Sequence, residues 1–168
     1  MTTSRIRVFP DSCLRKICTP VRSFDGELKE LVMHLRQIMQ NQKMGIGIAA
    51  PQIGVLRQVA LVNVSVRVEK AQELVLINPV IRWMAGENLS HEGCMSLPEY
   101  TGYVQRAARV GIRYQDLSGN SVDYEAEGLE AVCIQHELDH LQGKLFFDRV
   151  VTLKTDMHPR HWKKKTRR

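Results

Sequence analysis

The segment Leu129-Glu-Ala-Val-Cys133-Ile-Gln-His136-Glu137-Leu138-Asp139-His140-Leu-Gln142 decides how this 168-residue chain is read. It has the length and apolar content of one helix and is followed by Gly143, a residue suited to closing a helix. Two histidines at i and i+4 project from one helical face, so both imidazoles can reach one ion. Glu137 stands beside them, able to take a proton from water. Alone, the pattern also fits a pair of partly buried structural histidines. A hydrolytic site needs a third protein ligand and an open position. The extended form of this motif would place a Gly at 143 and a His at 146; Gly143 is present but position 146 is Phe, and only Asp148 and Asp156 offer carboxylates beyond His140. The third ligand is therefore expected upstream.

Two cysteines compete for that place. Cys133 lies on the same helical stripe, but seven residues separate it from His140, about 10 Å along the axis, too far for three side chains to converge. It reads better as a small apolar group lining the site. Cys94 sits in Glu92-Gly93-Cys94-Met95-Ser96, where glycine lets backbone approach an ion, and is the expected ligand; a buried free thiol is the alternative.

Outward from the helix, Leu28, Leu31, Val32, Leu35, Ile38 and Met39 recur at helical spacing and predict an amphipathic helix over about residues 26–43, broken by Gly45 and Gly47. Residues 58–64 and 73–81 read as strands, the second ending near Pro79. Val110, Ile112 and Tyr114 alternate, as do Val122, Tyr124 and Ala126, with a hairpin at Ser118-Gly119-Asn120. Strands without regular β-α alternation favour α+β.

A chain of this length can bury its own core, and a 43% apolar, 25% charged composition is that of a globular domain. The N-terminal residues lack the apolar core of a secretory signal, and no apolar run is long enough to span a bilayer. A cytoplasmic protein with no membrane partner is the expectation, its four cysteines thiols or ligands rather than disulfides. Residues 158–168 hold six Lys/Arg and no acid; removing them leaves 18 basic and 18 acidic residues, so the charge of +6 belongs to the tail. The expected division is a catalytic domain over 1–157 and a basic tail over 158–168. That tail can attract phosphate backbones or simply be a solvated end.

Three separated segments, Gly45-Ile-Gly-Ile-Ala-Ala-Pro-Gln52, Glu92-Gly-Cys-Met-Ser96 and Gln135-His-Glu-Leu-Asp-His140, resemble in order and spacing the signature motifs of the peptide deformylase family. The resemblance implies an α+β fold, small antiparallel sheets packed around a central metal-binding helix. It implies hydrolysis of the N-formyl group from N-formyl-methionyl peptides and nascent chains, with release of formate. Cys94, His136 and His140 would hold the ion, Fe2+ by resemblance, with Ni2+, Co2+ or Zn2+ able to substitute. Glu137 would handle the proton, while the Gln52 amide and the Met95 backbone N–H meet charge on the formyl oxygen. Gly45, Ile46 and Gly47 would form an extended segment against the peptide. Ile46, Leu129, Val132 and Cys133 would line the methionine pocket, and Asp139 would pair with Arg106 to steady the helix. The segment Gly45-x-Gly47-x-x-Ala50 loosely matches a dinucleotide fingerprint, but it follows a helix rather than a strand, so nucleotide binding is rejected.

Two positions depart from the family pattern: Met95 replaces a usual Leu, and Thr101 stands where many bacterial members carry an arginine that helps seat the peptide. The family also implies ribosome association through a basic C-terminal helix, although Pro159 interrupts any continuous helix there. A monomer is the expected state. Competing readings are a small His-Glu-x-x-His metallopeptidase and a ribosome- or RNA-binding module with a structural metal. The first lacks its downstream ligand, and the second has no use for Glu137.

Overall fold

The structure is a computed structural model that describes residues 5–42 and 45–160. Helix α1 (Gly26–Gln40) starts where the Asp25 carboxylate accepts the Leu28 N–H at 3.2 Å, and it buries Leu28, Val32, Leu35 and Met39. Five antiparallel strands then form one sheet in the order β1 (Gly47–Ala49), β2 (Val59–Val62), β3 (Leu74–Ala85), β6 (Arg109–Gln115) and β7 (Ser121–Glu127). A smaller antiparallel sheet joins β4 (Asn88–Cys94), β5 (Leu97–Arg106) and β8 (Met157–Pro159). Helix α2 (Gly128–Leu141) is closed by Gly143 at φ 70°, and a short α3 (Leu153–Asp156) precedes β8. The α+β architecture expected from the sequence is present.

The strand β2 explains how the layers assemble. Its four residues Val59, Ala60, Leu61 and Val62 are all fully buried because successive side chains serve opposite faces. Val59 and Leu61 pack with Leu28, Leu35 and Ile48 beneath α1. Ala60 and Val62 pack with Ala131, Cys133, Ile134 and Leu141 beneath α2. The sheet is thus held between the two helices, and α2 is fixed against β1 and β2. Burial of each large aliphatic side chain contributes roughly 1.5–3 kcal/mol.

The β3 strand does not stop at Pro79. A register shift between Ile77 and Val80 lets the proline, which has no N–H to pair, sit in an irregularity while pairing with β6 resumes. Asn78, at φ 50°, accepts the Val21 N–H at 2.8 Å and donates to the Val21 carbonyl at 2.9 Å. The β6–β7 hairpin is as expected, its turn tied by the Asp116 carboxylate accepting the Ser118 and Asn120 N–H groups. The boundary expected at residue 157 falls inside β8, whose register pairs Thr101 with His158. Of the basic tail, residues 161–168 lie outside the described residues. Among the described residues no helix is long and apolar enough to cross a membrane.

Candidate active site

The donor atoms of Cys94, His136 and His140 lie within 4.8 Å of one another. One helical turn sets the two histidine rings 5.0 Å apart, centroid to centroid. Cys94, the last residue of β4, brings its sulfur to 3.2 Å from His140 Nε2. Donors around a tetrahedral ion stand about 3.5 Å apart at ordinary Zn–S and Zn–N lengths, so small adjustments would close this trio on a divalent cation. Cys133 is not among the converging donors; its thiol donates to the Ile46 carbonyl at 3.3 Å.

The electrostatics are those of an ion site. Burial alone would raise the Cys94 thiol, but the His140 and His136 imidazoles outweigh it and hold it well below its usual range. Burial would lower His136, yet its bonds to Cys94 and Glu92 raise it well above its ordinary value. Cys133, by contrast, is pushed far up by burial and then by Glu137, and stays a neutral thiol. Glu137 is pushed up to about 7, chiefly by burial, against the opposing pull of His136 and His140. Its Oε2 and His140 Nδ1 are buried with no hydrogen-bond partner. A buried carboxylate oxygen with no protein partner, beside three converging donors, fits a metal centre, where it can bond to water.

The neighbouring glycine is required by this packing. A Cβ at Gly47 would stand 2.4 Å from Glu137 Oε1 and 2.7 Å from Cys133 Sγ. Gly45 meets the end of α1 instead, where a Cβ would lie 2.6 Å from the Met39 carbonyl oxygen. Among the described residues β1 is the outermost strand of its sheet and pairs only with β2. Ile46 and Leu129 are half-buried against the same apolar cluster as Cys133, and Val132 is buried. Gln52 is oriented by its carbonyl, which accepts the Ala49 N–H at 2.9 Å; its amide nitrogen thereby reaches Ser96 Oγ at 3.2 Å and Cys94 Sγ at 3.5 Å. Met95 occupies the turn between β4 and β5. Thr101 pairs with Gly93, and its hydroxyl bonds to His91 Nε2 at 3.0 Å.

Behind the trio lies a buried ionic network larger than the pair read from the sequence. Arg106 donates to Asp139 at 2.6 Å and, through two nitrogens, to Glu92 at 2.7 and 3.0 Å. The other Glu92 oxygen contact, 2.8 Å to His136 Nδ1, fixes which ring nitrogen faces the ion. Arg149 adds two bonds to Asp139, at 3.1 and 2.5 Å. Arg106 and Glu92 are at most 5% exposed at the side chain, so this is no surface salt bridge. Burial would raise the Glu92 carboxyl, but His136 and Arg106 keep it below the usual range. Sequence reasoning missed the roles of Glu92, Ser96 and Arg149. Glu92 and Ser96 both stood in a recognised motif, which was the signal available for them. A groove of about 660 Å³ on the far side of α2 is lined by Met84, Gln135, Leu138 and Asp139, and contains none of the converging donors.

A helix-borne His-Glu-x-x-His pair completed by a cysteine from a strand defines a metal-dependent hydrolase. Residues 3–156 match the family described as polypeptide deformylase. The peptide deformylase of Baumannia cicadellinicola is 43% identical over 92% of this chain and 90% of its own length. That of Rhizobium meliloti is 41% identical over 98% and 94%. The crystal structure of a peptide deformylase from Legionella pneumophila superposes with a TM-score of 0.83 at 39% identity, covering 89% of this chain and 87% of that one. The corresponding Thermotoga maritima structure gives 0.82 at 36%, covering 89% and 98%. The chain belongs to the polypeptide deformylase family: it is a metal-dependent hydrolase acting on N-formyl-methionyl peptides.

Proposed function

We propose that Cys94, His136 and His140 hold an Fe2+ ion and that Glu137 moves the proton in removal of the formyl group. The bound cation would supply positive charge that acidifies water and draws electron density from the formyl carbonyl. Glu137 takes a proton from the attacking water, whose oxygen bonds to the formyl carbon. As the carbon–nitrogen bond breaks, the same carboxyl returns the proton to the leaving amine, and formate departs. The Gln52 amide, already aimed inward, donates to the formyl oxygen as negative charge develops, together with the Met95 N–H.

The outer edge of β1, with Gly45, Ile46 and Gly47, pairs with the peptide backbone as an added strand. The methionine side chain enters between Ile46, Leu129, Val132 and Cys133. Arg106 and Asp139, joined by Glu92 and Arg149, hold α2 and the His136 ring in position. The soft thiolate and two imidazoles suit Fe2+, and equally admit Ni2+, Co2+ or Zn2+. We assign residues 1–157, with β8 continuing them, to the catalytic domain and the basic charge that follows Arg160 to contact with the ribosome, in a cytoplasmic monomer.

The observation that carries this reading is the unpaired Glu137 oxygen buried beside the three donors. Formate release from a formyl-methionyl peptide by anaerobically prepared protein, compared with Glu137→Ala, tests it. Formate from the unmutated protein alone supports it; equal release from both refutes the role of Glu137.

A further inference from the structure

The C-terminal strand delivers a cation to β4 at Gly93, the residue before Cys94. Pairing of β8 with β5 sets Tyr100 opposite Pro159 and Thr101 opposite His158, and the Arg160 N–H donates to the Glu99 carbonyl at 2.7 Å. From there the Arg160 side chain crosses to β4. A Cβ on Gly93 would stand 2.0 Å from Arg160 Nη2 and 3.3 Å from its Cζ, so the guanidinium lies directly on the backbone of Gly93. Only a residue without a side chain permits that approach. Gly93 immediately precedes Cys94. Among the described residues no carboxylate forms an ion pair with Arg160, whereas every guanidinium in the buried network behind α2 has one. Arg160 is half-buried, and its guanidinium has donors to offer another partner.

The substrate supplies such a partner. With the formyl group at the trio and the methionine against Cys133, the following residues must leave past the backbone that borders the trio, namely β1 and the end of β4. Gly93 lies on the second border. A peptide passing there presents carbonyl oxygens within reach of a guanidinium, whose forked donors suit an oxygen acceptor better than an ammonium does.

We propose that Arg160, carried by β8, is a substrate-seating residue that binds a peptide carbonyl downstream of the methionine. This rests on the site assignment proposed above and extends it: the C-terminal strand becomes part of the substrate cleft. The interaction favours longer substrates over formyl-methionine derivatives that end before the cleft's rim.

The test compares the metal-loaded enzyme with Arg160→Gln and Arg160→Lys on two substrates, formyl-methionine amide and formyl-Met-Ala-Ser amide. For the tripeptide, Arg160→Gln is expected to raise KM about five- to tenfold with kcat unchanged, the range for a charged hydrogen bond discounted for partial exposure. Arg160→Lys should recover part of that loss. The short substrate should show no change, because it does not reach the residue. A loss shared equally by both substrates, a fall confined to kcat, or no change on either overturns the proposal. Turnover by the unmutated enzyme reports separately on the site assignment, which stands or falls without Arg160.

Discussion

Replacing Glu137 with glutamine should stabilise the metal-free protein while removing its activity. The carboxyl is buried beside Cys94 and Glu92, and its folded pKa is pushed up from an ordinary 4.5 to about 7. That rise of about 2.5 units corresponds to about 3 kcal/mol. The unfolded chain gives up the proton near 4.5, while the folded chain holds it until about 7. Stability contributed by the protonated carboxyl is therefore present below 4.5 and lost as pH rises towards 7. Glutamine has nearly the same shape and does not titrate. Urea denaturation of both metal-free proteins between pH 4.5 and 8 should show a difference near zero at the acid end, growing to about 3 kcal/mol in favour of Glu137→Gln above pH 7. The same substitution should lower kcat by about 10²–10⁴ once metal is restored. A stability difference that does not change with pH would refute the reasoning, because it would mean that Glu137 is not held away from water in the folded protein.

Gln52→Ala removes the donor aimed at the formyl oxygen and should lower kcat by about a hundredfold or more with little effect on KM, as steady-state kinetics would show. Glu92→Gln weakens the acceptor that orients His136 and should cost about 10–100-fold in metal affinity, measured by competition with a chelator. Arg106→Leu leaves Glu92 and Asp139 facing each other's charge without their shared cation, and should destabilise the fold by about 3–5 kcal/mol in urea titration. The carboxyls of Glu92 and Asp139 are both held below their usual range, so the network's stabilisation is present above that range and is lost as pH falls from it through the lowered folded values, which urea titration at acid pH would show.

What could be read from the sequence was whatever repeats at a fixed local spacing. The i, i+4 histidines, the α1 stripe ending in Met39 and the alternation around Ser118–Asn120 each write their structure into neighbouring residues. The β4–β5 hairpin escaped because its outward side chains, among them Leu89, His91, Tyr100 and Tyr103, are exposed and aromatic or apolar, which blurs the alternation. Pro79 looked like a strand end because its missing N–H is normally incompatible with pairing, and only the bulge reconciles the two. The link from Glu92 to His136 joins residues 44 positions apart, a separation no local pattern encodes, and the pair of Arg106 with Asp139, 33 positions apart, was reached only through the family resemblance. Arg160 was read only as part of a basic tail, since nothing nearby tells that β8 turns back onto β5.

In the proposed site one sulfur and two imidazoles share a single cation. X-ray absorption on protein reconstituted anaerobically with one equivalent of Ni2+ tests it most directly. One sulfur and two imidazole nitrogens are expected among the scatterers, with the sulfur lost in Cys94→Ser. A spectrum of nitrogen and oxygen alone in the unmutated protein, or a sulfur signal that survives Cys94→Ser, would contradict it.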